Sequence, residues 1–188
     1  HVQRHGNDLD AFRAMRDRHP GMPSYLLDTF DTIRSGIPTA VAVMGETPHP
    51  AAIRYDSGDK VAQYLFAHER FTAAGLEPVH ILEDGFDAAM TREFETLREK
   101  TGIPAERQIY GYGGFLVARP ATNPYTRDRV AAVYKLSQSG EEPCMKFGNE
   151  SGVGKRSVPG LPVIWRRLRG DGPVGIIGQE GESVPDDH

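Results

Sequence analysis

Cysteine is almost missing from this 188-residue chain. Cys144 stands alone, which excludes an internal disulfide and fits a reducing compartment, so a cytoplasmic setting is expected. No apolar run approaches the length needed to cross a bilayer, and no signal-peptide pattern opens the chain. An excess of one charge is lacking too. The net charge of −4 gives no broad pull toward nucleic acid or a membrane surface, so neither is expected as a partner. Nucleophilic catalysis by a Ser-His-Asp or Cys-His set cannot be argued, because Cys144 falls in a stretch that reads as a strand with no histidine near it in sequence. The chain opens at a histidine inside what reads as continuing sequence, so an upstream segment is expected.

What is present is a repeated alternation of short apolar runs and amphipathic ones. Asn7 is an N-cap for a helix over residues 8–19, with Leu9, Phe12 and Met15 on one face and His19-Pro20-Gly21 as its stop. Residues 24–27 read as a buried strand ending at Asp28, followed by a short helical segment from Thr29. An apolar patch covers residues 36–43, and residues 45–50 read as a loop. A second strand over 51–56 leads into a helix over 60–74, with Gly75 as its stop. A third strand over 78–82 leads into a helix over 87–100, stopped by Gly102, and a fourth strand covers 107–110. Strand starts recur at about 28 residues, a spacing suited to repeated βα units.

The carboxyl ends of these strands carry acids or glycines: Asp28, then Asp56, then Glu83 and Asp84, then Gly113 and Gly114. In a (β/α) barrel such ends converge on one mouth, where chemistry and phosphate binding concentrate. Four strands make about half of an eight-stranded barrel, so residues 1–122 are expected to form a partial α/β barrel. From residue 123 the pattern changes. Strands at 130–137, 143–147, 163–168 and 174–178 without helices between them predict a β-rich segment over 123–188, ending in an acidic tail.

The densest chemistry lies in Ile53-Arg54-Tyr55-Asp56-Ser57-Gly58-Asp59, where a strand drops two carboxylates and an arginine around a Ser-Gly turn before a helix. Ser57 or Asp59 can cap that helix, but capping does not account for Arg54 and Asp56. Gly111-Tyr112-Gly113-Gly114 could cradle phosphate with backbone N–H groups. Tyr110 and Phe115 are assigned to the core rather than to stacking on a ligand. The stretch 148–156 superficially matches a P-loop, but its glycine spacing is wrong and Arg156 replaces the final Ser or Thr. Lys155, Arg156, Arg166, Arg167 and Arg169 read as a solvated basic face. His1 and His5 are four apart, but exposed loop histidines are expected rather than metal ligands, and no metal ligands are assigned.

Several of these segments together resemble one family. Leu26-Leu27-Asp28-Thr29-Phe30-Asp31-Thr32 with Gly36-Ile37-Pro38 is similar to the Asp-Thr-Tyr-Asp-Thr segment of nicotinate phosphoribosyltransferases. Arg54-Tyr55-Asp56-Ser57-Gly58-Asp59 resembles the Arg-x-Asp-Ser-Gly-Asp segment that they share with nicotinamide phosphoribosyltransferases. Ala132-Val133-Tyr134-Lys135-Leu136 and Lys155-Arg156-Ser157-Val158-Pro159-Gly160 resemble two later signatures of the nicotinate enzymes. The resemblance implies the C-terminal portion of a type II phosphoribosyltransferase whose N-terminal half lies elsewhere. It implies an enzyme of NAD salvage that joins nicotinate to phosphoribosyl pyrophosphate. The resemblance also implies Mg2+ to balance the leaving pyrophosphate, ATP assistance through a phosphorylated histidine in a ligase-like coupling, and a homodimer. By the same resemblance, Arg54 and Asp56 are catalytic and contact base and ribose, with Asp28, Ser57, Gly58 and Asp59 also on the substrate side. Glu83, Asp84, Gly85, Gly113 and Gly114 bind the 5′-phosphate. Glu83-Asp84-Gly85 replaces the nicotinate enzymes' Ser-Gly-Asp, and the double glycine is closer to the nicotinamide enzymes, which leaves nicotinamide as the alternative base. A non-catalytic nucleotide-binding or interaction half-domain is the alternative of a different class. Aligning Asp10-Ala11-Phe12 places the phosphorylated histidine slightly upstream of His1.

Overall fold

The computed structural model describes residues 1–113, 135–145, 157–166 and 175–183. Its main body runs α1 (Val2–His5), α2 (Asp8–Arg18), β1 (Ser24–Leu26), a π-turn (Thr32–Gly36), α3 (Ile37–Glu46), β2 (Ala52–Tyr55), α4 (Lys60–Ala73), β3 (Val79–Leu82), α5 (Ala88–Thr101), a 3-10 turn (Ala105–Arg107) and β4 (Gln108–Tyr110). The four strands form one parallel sheet in the order β1-β2-β3-β4, the order in which the chain makes them. Each crossover therefore lands on the adjacent position, always in the same direction across the sheet.

Helix ends follow the capping residues. The Asn7 side chain accepts the Asp10 N–H, Asp59 accepts Ala62 N–H at 3.0 Å, and Asp87 accepts both Ala89 and Met90 N–H. Those last two bonds hold the Asp87 carboxyl below its usual range. Gly102 closes α5 with φ 73°, a conformation that costs a residue with a Cβ and leaves glycine unpenalised.

The strands are short and their side chains alternate between two unlike faces. In register, Tyr25, Ile53, His80 and Gln108 form one row, and Tyr55, Leu82 and Tyr110 the next. This face packs on the helices: Phe12 lies 4.8 Å from Tyr25 between ring centroids, Tyr64 contacts Tyr55, and Phe86 contacts Phe94 and Tyr110. Most of its aromatic rings are fully buried, and each contributes roughly 1.5–3 kcal/mol or more by removal from water. Its polar groups are paired. Tyr55 Oη bonds His80 Nδ1 at 3.0 Å, and Tyr64 Oη donates to Gln108 Oε1 at 2.6 Å. Burial pushes the His80 imidazole down to about 3, with His68 adding a smaller repulsion. The opposite face carries Leu26, Arg54, Ile81 and Ile109 in one row, and Ile109 is 47% exposed.

Several expectations change. His5 does not sit in a loop: Val2–His5 is a helical turn that begins after His1 and that Gly6 ends in the left-handed region. The helical segment after β1 begins at Thr32 as a π-turn, because the Asp31 side chain accepts the Ile33 and Arg34 N–H groups. Helix α3 runs on through Gly45 and Glu46, which the sequence assigns to a loop, because Arg13 and Arg16 of α2 clasp the Glu46 carboxylate. Those contacts lower the Glu46 carboxyl to about 2. Among the described residues the β-rich region contains two antiparallel pairs, β5 (Gln138–Ser139) with β6 (Glu142–Pro143) and β7 (Pro162–Arg166) with β8 (Gly175–Gln179). Cys144 follows β6 rather than lying in a strand, and Lys135 to Ser137 precede β5. The chain's one tryptophan, Trp165, is in β7. Residues 130–134, the sequence 148–156, Phe115, Lys155, Arg156, Arg167 and Arg169 lie outside the described residues.

Candidate functional site

The ladder continues past the strand ends and sets the spacing of the residues beyond them. Leu27 N–H donates to Arg54 O at 3.2 Å, Glu83 N–H to Tyr55 O at 3.1 Å, and Gly111 N–H to Leu82 O at 2.8 Å. Residues just beyond each strand are thereby held side by side, which brings Asp28, Asp56, Glu83 and Gly111 to one edge of the sheet.

Arg54 is the centre of this edge. Its Nη2 lies 2.7 Å from Glu83 Oε2 and 3.3 Å from Asp56 Oδ1, linking the ends of β2 and β3. The Arg54 side chain is 40% exposed, so each pair is worth about 1 kcal/mol or less in stability. Their value is geometric. The guanidinium is oriented by two carboxylates, and its Nε is buried with no hydrogen-bond partner among the described residues. Glu83, placed with the phosphate-binding residues by resemblance, points into this pair. Gly111 makes room for it, since a Cβ there would stand 2.5 Å from Glu83 Cγ.

The second cluster is buried. Ser57 Oγ donates to Asp28 Oδ2, and Gln63 of α4 donates from Nε2 to the Ser57 carbonyl at 2.9 Å. Asp28, Ser57 and Gln63 are all almost inaccessible. Gly58 adopts φ 90°, which lets the chain reverse between Ser57 and the N-cap Asp59. Asp59 is thus the helix cap and Ser57 the partner of Asp28, which divides between them the role the sequence left open. Asp8, at the first position of α2, lies beside Asp28 and accepts from Ser35 Oγ at 2.5 Å. Burial is the main cause raising its carboxyl, and Asp28 adds repulsion. Sequence reading missed Asp8, whose position suggests only an acid favoured by a helix N-terminus.

The loop after β3 has the strained backbone that functional turns often carry. Asp84 at φ 62° is the one non-glycine residue with positive φ among the described residues, and Gly85 follows at φ 79°. Phe86 anchors the loop by burying its ring against Phe94 and Tyr110. Gly113 lies at the end of the neighbouring loop with open space where a Cβ would stand, and Gly114 lies outside the described residues. Tyr110 is a partly buried core residue whose hydroxyl donates to Glu95 Oε1 at 2.7 Å.

A cavity of about 260 Å³ opens beside the end of β1. Its walls include His1, Gln3, Thr29 and Lys135, so Lys135 joins the strand-end region from a point far along the chain. No spacing rule relates Lys135 to Thr29; only the fold does. Among the described residues no three His, Cys, Asp or Glu side chains converge as a metal cage. No helix among them is long and apolar enough to cross a membrane.

No family model matches the chain. Individual relatives do. The nicotinate phosphoribosyltransferase of Bacillus subtilis (strain 168) is 26% identical over 170 residues, 88% of this chain and 32% of the relative. The human enzyme of that name is 30% identical over 174 residues, 89% of this chain and 31% of the relative. That of Dictyostelium discoideum is 27% identical over 184 residues, 96% of this chain and 29% of the relative. The chain spans about a third of the length of the curated relatives that it matches.

Proposed function

We propose that this chain, whose similarity lies with the nicotinate phosphoribosyltransferases, is the C-terminal part of such an enzyme and supplies one side of its active site. The observation that carries the reading is the cluster of Arg54, Asp56, Glu83 and the Asp28–Ser57 pair at the carboxyl ends of consecutive parallel strands. Parallel sheets are ordinarily covered on both faces, and the face bearing Leu26, Ile81 and Ile109 beside Arg54 has Ile109 exposed. Further barrel strands closing over that face would complete both the core and the site.

The reaction breaks the bond between the ribose anomeric carbon and a pyrophosphate oxygen and forms one to the ring nitrogen of the base. Positive charge builds on the ribose as the bond breaks, and the Asp56 carboxylate, fixed by Arg54, is the group that stabilises it. Asp28, buried and bonded to the Ser57 hydroxyl, belongs to the substrate side by holding the ends of β1 and β2 together. The strained Asp84-Gly85 turn and the loop at Gly113 receive the 5′-phosphate through backbone N–H groups, Glu83 being turned to Arg54. Mg2+ would be held mainly by the diphosphate's own oxygens, as is usual for this ion, and would offset the charge of the leaving group. ATP coupling, a homodimer and a cytoplasmic setting accompany this reading.

A specific observation favours a second base. Arg54 already faces two carboxylates, so among the described residues at this edge it offers little free positive charge to the carboxylate of nicotinate. An uncharged amide pays no such penalty, which supports nicotinamide as the base. Calorimetric titration with nicotinate mononucleotide and nicotinamide mononucleotide, on this chain alone and on a form extended at its N-terminus, tests both readings. Binding that requires the extension and weakens at least about tenfold in Asp56→Ala is expected, with the tighter ligand identifying the base. No binding by either form sinks the salvage-enzyme reading.

A further inference from the structure

At the opposite end of the sheet from Arg54, a second cavity of about 240 Å³ lies between the last turns of α4 and α5. Phe71, Leu76, Pro78 and Ile103 give it apolar walls, and His68 and His80 also line it. All the residues lining it come from α4, α5, the start of β3 and the loops beside them, so it is built without any contribution from the strand-end site.

The charges on its rim cancel. Arg107 Nη2 is 2.7 Å from Glu77 Oε2 and its Nη1 donates to the Glu77 carbonyl. His80 is buried and engaged through Nδ1 with Tyr55, while His68 makes no hydrogen bond to another described residue. Among the described residues lining it, a charged occupant would compete with the Arg107–Glu77 pair for its counter-ion. An apolar cavity of about 150 Å³ already holds one benzene, so this one has room for a six-membered ring with a small polar substituent.

We propose that this cavity is an accessory binding site for a small, uncharged ring compound, held by the apolar walls and hydrogen-bonded at its polar edge by His68. His80 forms the floor, and its bond to Tyr55 ties that floor to β2. The proposal does not depend on the phosphoribosyltransferase reading.

The test is an NMR titration of this chain with its histidine rings labelled, using benzamide, with benzoate and benzamidinium as charged counterparts of the same shape. Benzamide is expected to move the His68 and His80 ring signals along a saturating curve, with the charged counterparts about tenfold weaker. Thr72→Trp, at an exposed rim position, is expected to abolish those shifts by filling the mouth. Failure of benzamide to saturate either signal overturns the proposal. So do equal affinities for the charged counterparts, or undiminished shifts in Thr72→Trp.

Discussion

His80 makes the acid limit of this fold calculable. Its imidazole is buried, stacked on Tyr55 with planes 8° apart, and lowered from 6.5 to about 3 mainly by loss of water. A free chain takes up a proton on this histidine below pH 6.5, whereas the folded chain does so only near pH 3. Proton uptake by the unfolded state therefore draws the equilibrium toward unfolding as the pH falls between those values. At one unit below the free value the cost is about 1.4 kcal/mol, and it grows by about 1.4 kcal/mol per further unit to a limit of about 5 kcal/mol. Typical domains hold only about 5–15 kcal/mol in total, so this one ring removes a large share of the margin. Urea midpoints measured from pH 7 to pH 4 for the native chain and for His80→Gln test the calculation. The variant starts less stable, because it loses the stack, but should lose less with acid; the difference between the two curves should follow that slope. Parallel curves would show that His80 is not the group taking up the proton.

Two packing predictions concern the elements that hold the site. Gly36→Ala sets a Cβ against the Leu27 carbonyl oxygen and within 2.9 Å of its carbonyl carbon, both backbone atoms that cannot move aside. A loss of about 3 kcal/mol is expected in chemical denaturation, and a change within experimental error would refute the close approach. Asp59→Ala removes the acceptor for Ala62 N–H and should cost about 1 kcal/mol, whereas Asp59→Ser should recover most of it. Equal stability of the two variants would mean that the cap contributes through its charge alone or not at all.

The capping residues and the acids at strand ends were legible from the chain because both are local. Asn7 and Asp59 sit where polar side chains meet the start of an amphipathic period, and each caps its helix, while Asp87, read as the first helical residue, is the cap of α5. Asp28, Asp56 and Glu83 follow short apolar runs, and the parallel register brings them to one edge. What could not be read is pairing across the sheet. Ser57 meets Asp28 and Arg54 meets Glu83, each pair 29 positions apart in sequence, and only the alignment of neighbouring strands selects those partners. The extension of α3 through Gly45 and Glu46 escaped for the same reason, since the arginines that hold it belong to α2. Asp8 and Lys135 escaped because burial and a distant loop, not their neighbours in sequence, give them their surroundings.

Trp165 divides the molecule optically. The indole stands in the β7–β8 hairpin, while Tyr25, Tyr55, Tyr64, Tyr110 and Tyr112 belong to the α/β body. Light absorbed above the tyrosine band therefore excites the hairpin alone, and near-ultraviolet dichroism from the buried tyrosines reports the sheet and its helices. The two ends of the chain carry separate intrinsic labels, and cooperation between them can be observed without attaching a dye.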